Sequence, residues 1–473
     1  MNRSDRDPAL ARAFEYSATY RRNPRALHAT QTVAELRRRF CMPMPEEGRD
    51  QADVIDDLIA AAEPGLIGNT DANFFAWVMG GSDTTGVAAD WLTSVWGQNA
   101  AIFQTAPSAA IAEEAVENWI LDLLDLPRES SVGLVTGATM AGFVCLAAAR
   151  SEVLARVGYD VERDGLQGAP LVQIFISDDA HVSNFAALRY LGFGEPNIVR
   201  VACDDQGVMR TEMLAEALSN AEGPKIIIGT AGHINSGGFE DFERLSLLSE
   251  QHDAWLHVDG AFGLWARMLP EKEGLTRALE KADSWSVDGH KWLQIPYDSG
   301  FAIVKSSDAH RRTMDISASY LNQSPEDGRN PTEFNPELSR RARGFTAWAV
   351  LQSLGRNGIR DMVRRHCQCT MKLAAWLDPV PGIEVCNRVD LNQLVLTIGD
   401  SKEDRTLEAA QCLNETGTIF VRTTKWKAKT VLRISNIAQH TDEETTRKLA
   451  DQLIEIANRF NKECPRMNAY TVI

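Results

Sequence analysis

The chain lacks the features that mark several large classes of protein. No run of about 18 apolar residues offers a membrane-spanning helix. The opening, MNRSDRDPALARAF, has neither the basic n-region nor the apolar h-region of a secretory leader, so a cytoplasmic location is expected. Cysteine is sparse. Eight are scattered over 473 residues without the paired spacing of a disulfide framework, which suits a reducing compartment. Cys367 and Cys369 lie beside His366, but ligands so close together give poor geometry for one metal and no second pair follows. They are expected to be ordinary helix residues, with no metal site. Positive charge is in deficit, 49 Lys and Arg against 65 Asp and Glu, for a net charge of −16. That balance argues against nucleic acid or an anionic membrane as a partner. No GxGxxG follows a strand-like run, which disfavours a nicotinamide enzyme. There is no internal repeat and no low-complexity segment. What remains is a globular composition, 44% hydrophobic and 24% charged, long enough for two or three domains around a large core.

Against that background one string stands out. SWSVDGHKWLQIPYDSGFAIV (284–304) sets Lys291 between a histidine and a tryptophan, ahead of a Pro-containing turn and the apolar run SGFAIV. A lysine walled in by Trp292, Leu293 and Ile295 is desolvated, which favours its uncharged, nucleophilic amine. Such an amine can hold a carbonyl cofactor as a Schiff base; a surface lysine beside a turn would read the same way in isolation. Upstream, AWLHVDGAFG (254–263) reads as a buried strand ending in Asp259. Open α/β sheets bind ligands at the C-terminal ends of their strands. A buried carboxylate needs a cationic or proton-donating partner, unless it merely caps the next element. ISDDAHVSNFAALRYLG (176–192) ends a strand and opens an amphipathic helix, with His181 at the junction, where a structural role is equally open. LVTGATMAGFVCLAAAR (134–150) is a Gly/Thr turn leading into an Ala-rich helix, whose N-terminal N–H groups suit a phosphate.

These four strings in this order resemble the group II pyridoxal-phosphate-dependent decarboxylases, the family of the aromatic amino acid, glutamate and diaminobutyrate decarboxylases. FFAWVMGG (74–81), ADWLTSVWGQNA (89–100), APSAAIAEEAVENWILDLLDLP (106–127), GTAGHINSGGFED (229–241), LSRRARGFTAWAVLQSLGRNG (338–358) and TTKWKAKTVLRISN (423–436) extend the likeness over roughly residues 70–460. Strand-like and helix-like runs alternate from 132 to 305, which by itself predicts an α/β domain with a mainly parallel sheet. The resemblance implies the fold type I, PLP-dependent transferase-like architecture, with a seven-stranded sheet in which one strand runs against the rest. The expected division is a helical N-terminal segment (1–85), a large α/β domain that binds the cofactor (86–355) and a small α+β C-terminal domain (356–473).

The resemblance also implies roles. Lys291 is expected to hold pyridoxal 5′-phosphate, with Asp259 keeping the ring nitrogen protonated and His181 stacked on one ring face. Ala261, two positions beyond Asp259 on the same side of the strand, is expected on the other face. Ala138 and Thr139 are expected to hold the phosphate, together with His290, and Asn235 to contact the cofactor from the preceding loop. The protein's task is then to set the α-carboxylate bond perpendicular to the ring. Relatives commonly carry a proton-donating tyrosine on a loop before the Arg pair. In LNQSPEDGRNPTEFNPELSRR (321–341) the aromatic residue is Phe334, and Tyr320 precedes the loop. A phenyl ring cannot donate a proton. Two outcomes therefore stay open: decarboxylation to an amine, or oxidative decarboxylation–deamination to an aldehyde. A non-catalytic binding protein on the same fold is the third reading. Phe74, Phe75, Trp77 and Phe103 are expected to favour an apolar or aromatic substrate side chain, unless they pack the N-terminal helices on the large domain. Trp91, Leu92, Val95 and Trp96 follow helical spacing, as a core or interface stripe does. A homodimer with shared active sites is the expected assembly.

Overall fold

Strand-forming apolar runs account for the centre of the molecule. The computed structural model describes residues 7–23, 25–316, 328–399 and 403–463. The N-terminal part holds helices α1 (Pro8–Arg22), α2 (Val33–Phe40), α3 (Gln51–Ala62), α4 (Thr84–Trp96) and α5 (Pro107–Leu123). Then β1 (Ser131–Val135), α6 (Ala138–Ala155), β2 (Gln173–Ser177), α7 (Val182–Tyr190), β3 (Ile198–Val201), α8 (Thr211–Ser219), β4 (Lys225–Thr230), α9 (Phe242–Gln251), β5 (Ala254–Asp259), β6 (Ser284–Asp288), β7 (Gly300–Val304) and α10 (Ser307–Met314) build the large layer. The strands form one seven-stranded sheet in the order β1-β7-β6-β5-β4-β2-β3. Only β7 runs against its neighbours, pairing antiparallel with both β1 and β6. Strands β1, β5, β6 and β7 are buried at every position, as expected of a sheet covered on both faces, and this is why they read as continuous apolar runs rather than alternating ones.

The topology brings the C-terminal ends of six strands to one edge, where Asp259 closes one strand and Ala138, His181 and Lys291 follow three others. Helix α6 crosses beneath β5, β6 and β7. It is apolar enough by composition to cross a bilayer, but its apolar side chains fill the core between sheet and helices. The close approach has a local signature: a Cβ on Gly300 would lie 2.4 Å from Gly137 Cα.

Strand β1 ends the sheet, and its exposed backbone is sealed by charge. Glu117 accepts the Val132 N–H at 2.9 Å, Arg329 donates to Val132 O, and Arg340 donates to Leu134 O at 2.7 Å. Arg340 also pairs with Glu113 at 2.7 Å in full burial. Capping an edge in this way removes a template for strand addition.

A long helix, α11 (Arg343–Leu377), leads out of this layer and is broken at Gly355, where φ is 61°. Beyond it lie β8 (Ile383–Val385), β9 (Gln393–Ile398), α12 (Thr406–Glu415), β10 (Arg422–Trp426), β11 (Lys429–Ser435) and α13 (Glu443–Glu463). They form a four-stranded antiparallel sheet, ordered β10-β11-β9-β8, with a core of its own. The β10–β11 hairpin turns through Lys427 and Ala428, both at positive φ. Its tip docks on the large layer, where Trp426 Nε1 donates to Asp179 at 2.7 Å. The chain at 73–75 adds to the small sheet. Phe75 N–H donates to Phe420 O, and Ser435 N–H donates to Phe75 O, each at 2.9 Å.

Candidate active site

Lys291 follows β6 and its turn. Its Nζ lies 2.8 Å from Asp288 Oδ2, and its side chain is 19% exposed. The expectation of an apolar enclosure needs correction: Trp292, Leu293 and Ile295 point into the core, while the lysine amine faces a carboxylate. The backbone around Lys291 is clamped from two directions. Gly80 of the N-terminal segment passes so close that a Cβ there would sit 2.1 Å from Lys291 O. Gln294, fully buried, accepts the Gly81 N–H at 2.5 Å and donates to Lys291 O at 3.1 Å and to Ile437 O at 2.8 Å. One amide thus ties the N-terminal segment, the lysine turn and the C-terminal part together.

Asp259 closes β5 and is 7% exposed. Asn184 Nδ2 donates to its Oδ2 at 2.8 Å, and the Ala261 N–H donates to Oδ1 at 3.2 Å. The strand stops at Asp259, so alternation does not carry on to Ala261. That residue sits in the following turn, half-buried, and its carbonyl accepts the Asp288 N–H at 3.0 Å. His181 is the N-cap of α7. Its Nδ1 accepts the Ser183 N–H at 3.3 Å, so the ring's own proton belongs on Nε2. Burial holds the His181 pKa below its usual value, against the pull of Asp259 and with the help of the Lys291 and Arg433 charges. A neutral imidazole beside Asp259 and Lys291 suits stacking on an apolar ring.

The start of α6 presents Ala138, half-buried, and Thr139, exposed. Asp288 Oδ1 accepts the Ala138 N–H at 2.5 Å. His290 lies 3.2 Å from the same carboxylate, accepts the Ser299 N–H, and packs against the tilted ring of Tyr297, with centroids 4.4 Å apart. Burial lowers its pKa as well. Asn235, from the loop between β4 and α9, accepts from Arg433 Nη1 at 3.1 Å. Arg433, on β11, is buried enough for desolvation to lower its pKa.

Sequence reasoning missed four members of this cluster: Asn184, Asp288, Gln294 and Arg433. Three had a signal. Asn184 follows His181 by one helical turn, Asp288 ends a buried strand as Asp259 does, and Arg433 interrupts the apolar run Val431, Leu432, Ile434. Nothing in the sequence marks Gln294.

The aromatic candidates fare differently. Phe74 is 4% exposed and stacks on Phe420 at 4.9 Å, and Phe75 is fully buried. Both pack the N-terminal segment, though on the C-terminal part rather than on the large layer. Trp77 keeps an exposed ring on the segment that covers Lys291. Phe103 lies beside Gly328 and donates its N–H to Asn330, at the β1 edge. Phe334 is a correction. Its ring is 2% exposed and enclosed by His310, Arg311 and Arg329 rather than open toward a substrate. Tyr320 falls outside the described residues. Accordingly, Phe334→Tyr is expected to leave the amine-to-aldehyde ratio unchanged while the crowded hydroxyl lowers stability by about 1–3 kcal/mol. Product assays beside urea unfolding check both halves.

The residues present fit a pyridoxal phosphate. There is an amine at a strand-end cluster, a fixed carboxylate for a protonated ring nitrogen, a neutral imidazole for the ring face, and a glycine cradle at a helix start already holding an anion. Comparison with known proteins agrees. The sequence pattern described as "Pyridoxal-dependent decarboxylase conserved domain" matches residues 34–398. An aromatic-L-amino-acid decarboxylase of Bacillus atrophaeus is 25% identical over 91% of this chain and 90% of its own. A phenylacetaldehyde synthase of Arabidopsis thaliana is 25% identical over 85% of this chain and 84% of its own. The crystal structure of Oryza sativa TDC with PLP and tryptamine superposes with a TM-score of 0.89 at 20% identity, covering 97% of this chain and 99% of that one.

Proposed function

Since the chain belongs to the pyridoxal-dependent decarboxylase family, whose members include aromatic aldehyde synthases as well as decarboxylases, we propose that it converts an L-amino acid with an apolar or aromatic side chain to the amine and carbon dioxide. The observation that carries this reading is the meeting of Lys291, the Asp259–Asn184 pair and His181 at one sheet edge, faced by Arg433 from the small sheet. Pyridoxal phosphate, when bound, supplies the electron sink that accepts the bonding pair of the departing carboxylate. The chain's residues do the rest. Lys291 attaches the cofactor, Asp259 holds a proton on its ring nitrogen, and the α6 start with Ala138, Thr139 and His290 receives its phosphate. Arg433, held by Asn235, meets the substrate carboxylate and sets its angle. His181 Nε2 carries the proton nearest the reacting centre. The exposed ring of Trp77 supports an apolar side-chain site.

The aldehyde-forming alternative rests on the lack of a tyrosine in the 321–341 loop; the burial of Phe334 removes only that ring as the residue standing in its place. Incubation with the common amino acids under air, scoring carbon dioxide, amine, aldehyde and peroxide separately, is expected to give amine and carbon dioxide in equal amounts with an aromatic or aliphatic substrate. Aldehyde and peroxide in place of amine would overturn the reading.

The assembly we propose is a dimer of this chain. Helices α1, α2 and α3 bury no residue within it, and Leu10, Phe14, Val33 and Phe40 are all more than half exposed. The stripe foreseen on α4, with Trp91, Leu92, Val95 and Trp96, lies open beside Ile111 and Trp348. An apolar face of that extent needs a cover, and a second copy supplies a matching one.

A further inference from the structure

Asp288 is 2% exposed and serves the cofactor end of the sheet with both oxygens. Oδ1 accepts the Ala138 N–H at 2.5 Å and lies 3.2 Å from His290 Nε2, while Oδ2 lies 2.8 Å from Lys291 Nζ. A carboxylate therefore already occupies the anion-attracting end of α6. Gly137 shapes the same spot, since a Cβ there would meet His290 Cε1 at 2.7 Å and Asp288 Oδ1 at 3.1 Å. There is room for backbone only.

A phosphate monoester brings about −1.5 to −2 charges near neutral pH. Two anions sharing one set of donors favour the uptake of a proton. The groups facing Asp288 limit where that proton goes. From its own loop come Lys291, His290 and Tyr297, with Asp298 acting on His290; from the start of α7 comes His181. Lys291 already pairs as a cation with Asp288 Oδ2 at 2.8 Å, so it has no site for a further proton. His181 also answers to Asp259. His290 remains, in contact with the carboxylate.

We propose that the cofactor's phosphate enters together with one proton, taken up from solvent by the Asp288–His290 pair, so that Asp288 sets cofactor affinity against pH. This rests on the reading of α6 as the phosphate seat. The linked proton makes binding loosen as pH rises, by up to about tenfold per unit.

The test uses the full chain stripped of cofactor and titrated with pyridoxamine 5′-phosphate, which forms no bond with a lysine, and with pyridoxamine as the control lacking phosphate. Calorimetry at pH 8 in buffers of different ionisation enthalpy is expected to count about one proton taken up with the phosphate ester and none with pyridoxamine. Asp288→Asn is expected to bind the ester more tightly at pH 8 and to lose most of the pH slope. Absence of proton uptake by the parent protein, a variant with unchanged affinity and slope, or the same shift with pyridoxamine would each overturn the inference. If Lys291 is still trapped by borohydride with pyridoxal phosphate in those cases, the cofactor reading survives. If the ester binds neither protein and Lys291 is not trapped, both fall together.

Discussion

Lys291→Ala is expected to lower turnover of every amino acid substrate by at least about 10³-fold, a barrier increase of roughly 4 kcal/mol at 1.36 kcal/mol per decade. Among the described residues it supplies the amine at the strand-end cluster, and no other side chain there takes over an imine-forming role. Arg433 stays protonated and offers no free nitrogen lone pair. The loss should come with a physical marker. Borohydride treatment of the parent protein with pyridoxal phosphate should fix the cofactor on the peptide containing residue 291, and the variant should yield no such peptide. The substitution should leave the fold intact. The side chain is partly exposed, and the turn is held through backbone atoms by Gly80, Gly81 and Gln294. Turnover that persists in a folded variant, or a label on another lysine, would sink the assignment of Lys291.

Much of this arrangement was legible in the sequence, and the reason is locality. The runs QIFIS, KIIIGT, AWLHVD, SWSVD and GFAIV became β2, β4, β5, β6 and β7, because a doubly covered sheet asks for uninterrupted apolar segments and the turns between them fall on Gly and Asp. Lys291, Asp259 and His181 were visible because each stands where a strand ends, and strand ends converge in this topology. What the sequence hid depends on contacts between distant segments. The partnership of Asn184 with Asp259 spans 75 positions and that of Arg433 with Asn235 spans 198. Gln294 acts through backbone carbonyls, which no side-chain pattern announces. Ala261 lies in the turn past the end of its strand, where period-two alternation no longer fixes the side it faces. Phe334 was misread for a related reason: position along a loop says nothing about burial, and the turn at 331–334 folds inward against β1.

One buried carboxyl ties stability to pH and bears on the same site. Glu240 precedes α9 at the base of the loop that carries Asn235. It accepts the Met209 N–H at 2.7 Å, and burial pushes its pKa up to about 8 from 4.5. The unfolded chain ionises this group near its ordinary value, whereas the folded chain holds the proton until about pH 8. Between those limits the native state binds one proton more than the unfolded state. The stability this group contributes is therefore fullest below pH 4.5, falls as pH rises toward 8 and loses nothing further above it. Glu240→Gln keeps an oxygen for the Met209 N–H and has no proton to lose. Relative to the parent, it should gain on the order of 4 kcal/mol in unfolding free energy between pH 5 and pH 8, at 1.36 kcal/mol per unit. Urea unfolding of both proteins at the two pH values measures that difference directly. An equal ΔΔG at pH 5 and pH 8 would mean that Glu240 is ionised in the native state. If the gain appears, the loop that holds Asn235, and through it Arg433, is anchored by a neutral carboxyl.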